Sequence, residues 1–184
     1  MELFGTAGIR GDVQETVTPS LALRVGQAAA ADALEQVGPD ESVEFAVARD
    51  GRETGQAIVD AMASGLTSAG ADVVEIGQAP TPALASASRG RHGVAITASH
   101  NPPEDNGIKL FEDGVEYSGA AEARVEDRVE AGTDPTAWDE WGTRESAEVL
   151  DEYRAAVVDY AERFGADLDR LRVVVDCGNG MASP

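Results

Sequence analysis

Val94-Ala95-Ile96-Thr97-Ala98-Ser99-His100-Asn101-Pro102-Pro103-Glu104-Asp105-Asn106-Gly107-Ile108-Lys109-Leu110 gathers most of the chemically distinctive residues of this chain. The apolar run Val94, Ala95, Ile96 reads as a buried strand. It delivers a hydroxyl, an imidazole and an amide in succession at Ser99, His100 and Asn101. Asn101-Pro102-Pro103 then ends the strand, because proline lacks the N–H that a ladder needs and steers its predecessor out of the helical region. Asn106-Gly107 predicts a tight turn. Ile108 to Phe111 follow as a hairpin partner, with Lys109 just past the turn and able to fold back toward Ser99. A hydroxyl at a strand end with an amine beside it suits transfer of a group through serine.

Outward from this stretch the chain alternates strands and helices. Thr18-Pro19 is a helix start, with Thr18 at the N-cap and Pro19 in the first turn. Leu21, Val25, Ala28 and Ala29 keep the helical period to about Gln36, and Gly38-Pro39 breaks it. Val43, Phe45 and Val47 alternate as a strand that ends at Arg49-Asp50-Gly51-Arg52. Thr54 can cap the next helix, whose core face is Ile58, Met62 and Leu66 and which Gly70 stops. Val73, Val74 and Ile76 predict another strand, and Ala79-Pro80-Thr81-Pro82 leads into a short helix over residues 83–88. The pattern implies a layered helix–sheet–helix α/β domain, and the hairpin makes its sheet mixed.

Past Gly119 an acidic helix carries Val125 and Val129, and a polar link follows from Ala131 to Thr143. Trp138 and Trp141 in this link read as packing anchors rather than sugar-stacking platforms. Glu145 to Phe164 predicts an amphipathic helix with Leu150, Tyr153, Val157, Ala161 and Phe164 on one face, closed by Gly165. Val173 to Cys177 read as a strand running into Gly178-Asn179-Gly180. That glycine pair is not followed by the third glycine or the acidic residue of a dinucleotide fingerprint. Residues 1–143 thus read as one domain, and residues 144–184 as a linking helix and a strand attached to it.

The 184 residues, 42% hydrophobic, are enough to bury a core. Arg10, Asp12, Arg24 and Asp32 interrupt the N-terminal region, so neither a secretory leader nor a membrane span is expected. Cys177 is the only cysteine, which rules out a disulfide within the chain and suits a reducing cytoplasm. The net charge of −20 is spread along the sequence and argues against nucleic acid or anionic membranes as partners. Such a solvated acidic surface is a device of salt-loving organisms.

Thr97-Ala98-Ser99-His100-Asn101-Pro102 with Asn106-Gly107-Ile108-Lys109 resembles the phosphoserine signature of the α-D-phosphohexomutases, the phosphoglucomutase/phosphomannomutase superfamily. Gly5-Thr6-Ala7-Gly8-Ile9-Arg10-Gly11 and Arg49-Asp50-Gly51-Arg52 resemble two further segments of that family in the same order. The likeness runs from about residue 4 to the end and covers the first of four domains with the opening of the second. Joined to the acidic composition, it suggests a haloarchaeal member. It implies that Ser99 carries a phosphoryl group, passes it to a sugar phosphate to give a hexose 1,6-bisphosphate, and takes back the other phosphate. The net result is a shift of phosphate between positions 1 and 6 of a hexose.

The same resemblance implies that Thr6, Gly8, Arg10, Arg49, Arg52 and Asn101 meet phosphate, that His100 orients by hydrogen bonding, and that Lys109 is an acid/base. Lys109 is also the only lysine among 14 basic residues. Where arginine fills nearly every cationic role, the remaining lysine suits proton transfer, which a guanidinium performs poorly. Asp50 reads as an orienter of neighbouring arginines rather than a metal ligand. Magnesium is implied, bound at Ser99 through its phosphate, while the family's Asp-Gly-Asp-x-Asp-Arg metal loop is not found in this sequence. The sugar-reading and phosphate-clamping loops of the third and fourth domains are not found either. The chain is therefore expected to be an incomplete enzyme, inactive alone, whose partners are a hexose phosphate and the remaining mutase domains. Glucose, mannose and glucosamine phosphates are not distinguished, so phosphoglucosamine mutase is an alternative within the family. Two other classes are a non-catalytic binding or assembly domain and a serine hydrolase built on Ser99 and His100. The hydrolase is disfavoured by the lack of a Gly-x-Ser-x-Gly elbow.

Overall fold

A computed structural model of the chain describes residues 3–38, 41–165, 171–178 and 180–181. In chain order the elements are β1 (Ile9–Asp12), α1 (Pro19–Glu35), β2 (Glu44–Arg49), α2 (Gly55–Ser68), β3 (Asp72–Gln78) and α3 (Thr81–Ala87). They continue as β4 (His92–Ile96), β5 (Asp105–Glu112), β6 (Val115–Glu116), α4 (Gly119–Ala131), β7 (Arg144–Ser146) and α5 (Leu150–Glu162). The seven strands form one sheet in the order β1-β5-β4-β2-β3-β7, with β6 paired to β5. β4, β2, β3 and β7 run parallel, while β5 is antiparallel to β4, β1 and β6. This is the expected mixed α/β sheet.

Two apolar clusters explain the layering. On one face Phe45, Val47, Val94, Ile96 and Ile108 pack against α1, α2 and α4. On the other, Ala46, Ala48, Ala95 and Phe111 pack against Ala83 and Leu84 of α3, with Leu150 and Tyr153 of α5 at the margin. α1 begins as its sequence dictates: the Thr18 hydroxyl accepts the Leu21 N–H at 3.1 Å, and Pro19 needs no partner in the first turn. Asp32, 3% exposed, ties α1 to α4 through Arg124 at 3.0 Å and Arg128 at 3.5 Å.

Several expectations need correction. Asn106-Gly107 is not a turn: both residues lie inside β5, opposite Gly11 and Arg10 of β1. A Cβ on Gly107 would stand 2.4 Å from the Thr97 carbonyl oxygen and 2.8 Å from that of Ile9, so the glycine allows close approach of three chain segments. The β4–β5 connection is instead the serine loop, residues 97–104. Thr54 stands before α2 but makes no side-chain cap; its hydroxyl accepts the Asn106 Nδ2–H at 3.0 Å. The last helix begins at Leu150, not Glu145, because Arg144–Ser146 pair with β3 and Arg144 is held by Asp60 and Glu75, each at 2.6 Å. The proposed domain limit at 143 thus falls just before a strand of the same sheet. Residues 171–177 are in no strand, and Val174 is 95% exposed. Trp138 and Trp141 are exposed too; the link is held by its backbone, with Thr136 N–H on Ser68 O and Gly142 N–H on Thr67 O.

α1 and α2 cross at two glycines. A Cβ on Gly65 would stand 2.2 Å from the Leu23 carbonyl oxygen, and one on Gly26 would stand 2.6 Å from that of Met62. Replacing a mid-helix glycine by alanine ordinarily gains about 1 kcal/mol. Here the added methyl meets backbone that cannot swing aside, and overpacking costs about 1–3 kcal/mol. Gly65→Ala is therefore expected to lower the thermal midpoint. A midpoint equal to or above wild type would show that the two helices are not packed this closely.

Candidate active site

The parallel strands β2 and β4 end side by side, with Arg49 opposite Ile96. Their following loops, residues 50–54 and 97–104, therefore emerge next to each other at the carboxyl edge of the sheet. Ligands favour such crevices outside strand ends. A cleft of about 750 Å³ opens there, lined by Arg49, Asp50, Arg52, Thr97, Ser99, His100 and Asn101. Ala48 and Ala95 line its floor, and Ala79 to Pro82 form one wall. Gly178, Gly180 and Met181 reach the same cleft from the distal end of the chain.

Ser99 sits in a turn with φ of 58°. A non-glycine residue in this left-handed region costs about 1–2 kcal/mol and persists only where its surroundings enforce it. The surroundings are specific. Ser99 N–H donates to Thr97 Oγ1 at 3.1 Å, and the Thr97 hydroxyl donates to Asp50 Oδ2 at 2.7 Å. Asp50 also accepts Arg52 N–H on Oδ1 at 3.0 Å and Arg52 Nε–H on Oδ2 at 3.2 Å. Arg52 Nη2 reaches the carbonyls of Ser99 and Asn101 at 3.1 and 2.7 Å. Its Nη1 reaches those of Pro102 and Asp105 at 2.6 and 2.8 Å. Asp50 is thus the expected orienter of an arginine, but Arg52 has its N–H groups on the loop backbone rather than turned toward a ligand. Asn101 likewise donates from Nδ2 to Asp105 Oδ2 at 2.9 Å. Arg49 bonds Gln56 Oε1 at 3.1 Å and the Asp50 carbonyl at 2.9 Å while lining the cleft.

Thr6, Gly8 and Arg10 line a second hollow of about 410 Å³ with Leu3, Phe4, Gly5 and Ala7. The glycine-rich stretch is a tight turn followed by β1, a strand too short to read from sequence. A Cβ on Gly8 would meet the Ile108 carbonyl oxygen at 2.5 Å and Lys109 Cγ at 2.9 Å, so this glycine lets the turn lie on the lysine stem. Ala48 lies opposite Ala95, and Ala95 opposite Lys109. The cleft floor and Lys109 therefore form one row on one face of the sheet. Arg10, opposite Gly107, shares that face. Arg10 Nε is buried without a hydrogen-bond partner. The Lys109 ammonium is paired with Glu116 at 2.5 Å. Nearby Glu122 has its pKa raised by burial, and then by Glu116 and Glu126, with Lys109 opposing.

The structure brings Ser99, His100, Asn101, Arg49 and Arg52 around one cleft, and sets Thr6, Gly8 and Arg10 around a separate hollow, with Gly8 against Lys109. It adds Thr97, whose role as a bridge between Asp50 and Ser99 had no signal beyond its place in the motif. It also adds Gly178, Gly180 and Met181, which sequence reading separated from the serine by some eighty residues. Among the described residues no group of three or more His, Cys, Asp and Glu could hold a metal ion. Asp50 is bonded to Arg52 and Thr97, and Asp105 to Asn101. These residues do not form a magnesium cage by themselves.

The site this α/β fold presents is a cleft at the carboxyl edge of two parallel strands, lined by a serine held at positive φ. The chain belongs to the phosphoglucomutase/phosphomannomutase family, whose alpha/beta/alpha domain I matches residues 1–136. It is 43% identical over 187 residues to a phosphopentomutase of Thermococcus kodakarensis, covering 100% of this chain and 39% of that protein. It is 44% identical over 187 residues to a phosphoglucosamine mutase of Saccharopolyspora erythraea, covering 98% of this chain and 41% of the relative. A phosphoglucomutase/phosphomannomutase family protein of Burkholderia thailandensis shares the fold with a TM-score of 0.75 at 31% identity. That likeness covers 86% of this chain and 35% of the other.

The backbone of Ser99 makes a prediction that separates stability from chemistry. Ser99→Gly removes the left-handed strain, about 1–2 kcal/mol, against about 0.5–1 kcal/mol of added chain entropy. Its thermal midpoint should match or exceed that of wild type, whereas β-branched Ser99→Val should lower it. Equal destabilisation by both would mean that position 99 is not held at positive φ.

Proposed function

We propose that Ser99 is the phosphoryl carrier of a mutase that moves phosphate between the 1 and 6 positions of a hexose phosphate. The observation that carries this reading is the placement of Ser99, in an enforced left-handed conformation, inside a cleft lined by Arg49 and Arg52. Membership of the family supports it. In the forward step the P–O bond to Ser99 Oγ breaks as a bond forms to a sugar hydroxyl oxygen. The proton leaving that hydroxyl ends on Ser99 Oγ, with Lys109 relaying it. In the return step the other phosphate of the bisphosphate transfers to Ser99 by the same movements reversed. Phosphoryl transfer spreads charge over the equatorial oxygens, so positioning and nearby cations do most of the work. Arg10 and Arg49 with the backbone at Thr6 and Gly8 would meet phosphate, Asn101 and His100 would border it, and Arg52 would lend its charge.

Lys109 can relay only after its ammonium leaves Glu116, so substrate phosphate is expected to compete with that carboxylate. Magnesium, which the resemblance implies, would meet this chain at the Ser99 phosphate and need ligands beyond the described residues. The chain spans 39% and 41% of the two relatives' lengths, and the full catalytic cycle is proposed to require further domains. Those relatives are named for a pentose phosphate and a glucosamine phosphate, so a substrate panel should carry both beside glucose and mannose phosphates. The acidic surface suits a salt-rich cytoplasm, and no helix among the described residues is long and apolar enough to cross a membrane.

The half-reaction gives the test. The chain is incubated in high salt with magnesium and α-D-glucose 1,6-bisphosphate, then digested and read by mass spectrometry. One phosphoryl group is expected on Ser99, absent in Ser99→Ala and slowed about a hundredfold or more in Lys109→Met. Failure to label at Ser99 both in this chain and in the full-length protein with the remaining domains would leave a binding or assembly domain as the better reading.

A further inference from the structure

We infer that Arg52, together with Asp50 and Thr97, is a positioning residue that fixes the backbone of Ser99 and so aims its hydroxyl. The catalytic meaning of this clamp rests on Ser99 being the phosphoryl carrier; its geometry does not. An arginine offers five N–H donors in a rigid planar fork. Arg52 directs Nε to Asp50 Oδ2 and its two terminal nitrogens to four backbone carbonyls, those of residues 99, 101, 102 and 105. Three belong to the loop that carries the serine, and the fourth, Asp105, is the residue of β5 that follows it. The loop lies between β4 and β5 and has few ladder partners of its own, so its carbonyls need donors from elsewhere.

An arginine covering loop carbonyls could be ordinary structural support. Two features point further. The first is that Ser99 is gripped at both ends of its own backbone. Its carbonyl accepts from Arg52, and its N–H donates to the Thr97 hydroxyl, which in turn is held by Asp50. Fixing both groups fixes φ and ψ, and hence the direction of Cβ and Oγ. The second is that the residue so gripped has φ of 58°, one of two non-glycine residues at positive φ among those described. The Asp50 carboxylate joins both arms, so the end of β2 sets the conformation of a serine almost fifty residues later. Lysine at position 52 would keep the charge but present three donors from one point, unable to span four carbonyls.

The test uses the 184-residue chain as wild type, Arg52→Lys and Thr97→Val. Backbone amide exchange is followed by mass spectrometry, and Ser99 phosphorylation by α-D-glucose 1,6-bisphosphate is followed as a function of concentration. In Arg52→Lys, exchange over residues 99–105 should accelerate about tenfold or more, with α1 and β2 unchanged. The maximal labelling rate should fall about a hundredfold, the usual result of misplacing a reacting atom, while half-saturation moves less than about threefold. In Thr97→Val, faster exchange should be confined to the neighbourhood of Ser99. A loop that keeps wild-type exchange in both variants overturns the inference. So does a rise in half-saturating concentration at unchanged maximal rate, which would make Arg52 a direct phosphate ligand. Should Arg52→Lys unfold globally, Thr97→Val decides the matter by the same two readouts. Should wild type take up no phosphate, alone or within the full-length protein, the carrier reading fails, and the exchange data still decide whether the clamp exists.

Discussion

The hydrogen bonds of the Asp50 carboxylate are the constraint on which the site depends. Two run to Arg52 and one to Thr97, and through those residues the end of one strand governs a loop entered from the next. A loop of this kind faces a problem that helices and strands do not: its carbonyls lack systematic partners, and a loop with unsatisfied groups moves until water finds them. Arginine meets this with several donors on one rigid plane. Charge-assisted bonds at 2.6–2.8 Å to the carbonyls of residues 101, 102 and 105 are stronger than neutral ones. A guanidinium held in this way needs a counter-charge, and Asp50, two residues earlier, provides it at 3.2 Å. The pair is short in sequence and long in reach.

The sheet makes this arrangement possible. β2 and β4 are parallel neighbours, so their carboxyl ends and following loops lie together. β5 then returns antiparallel to β4 and brings Asn106, Gly107 and Lys109 back along the same strand. β1 pairs on its far side and places Arg10 opposite Gly107. Segments separated by as much as a hundred residues thus converge through one register. Gly107 holds the convergence tightest, because any side chain there would strike the carbonyls of Thr97 and Ile9. The turn at Gly8 closes on Lys109 for a related reason. Both glycines act through the absence of a Cβ.

Much of this was legible in the sequence where a residue's own chemistry decides its local structure. Thr18-Pro19 starts α1, Ile58, Met62 and Leu66 are buried, and Gly70 ends α2 with φ of 97°, because caps, apolar spacing and positive φ are local properties. The errors share one cause. Asn106-Gly107 carries a turn signal, yet pairing with β1 claims both residues for a strand. Glu145 and Ser146 fit a helical pattern until β3 offers an edge and Asp60 and Glu75 offer charge to Arg144 beside them. Val157 and Phe164 lie on an apolar face but are exposed, since nothing among the described residues covers them. In each case a neighbour distant in sequence settled the conformation. The site divides in the same way. Its candidate residues could be named from the motif, whereas the carbonyl-binding role of Arg52 and the bridging role of Thr97 depend on which partners the fold supplies.

A net charge of −20 would seem a poor setting for binding phosphate. Distance resolves the conflict. Surface carboxylates act on an approaching anion through solvent, where the Debye length falls from about 10 Å at 0.1 M salt to about 3 Å at 1 M. Cations lining a cleft act at hydrogen-bond distance and are screened far less. Strong salt therefore suppresses the repulsive term while leaving much of the attractive one, provided the cations are held in place without substrate. Arg49 is so held, by Gln56 and the Asp50 carbonyl, while Arg52, its five N–H groups on Asp50 and four carbonyls, adds charge to the cleft wall without contacting the anion. Lys109 is held by Glu116, a partner that an incoming phosphate can displace because both compete for the same charge. On the proposed reading, fixed arginines would set the geometry of phosphoryl transfer, and a releasable lysine would move the proton.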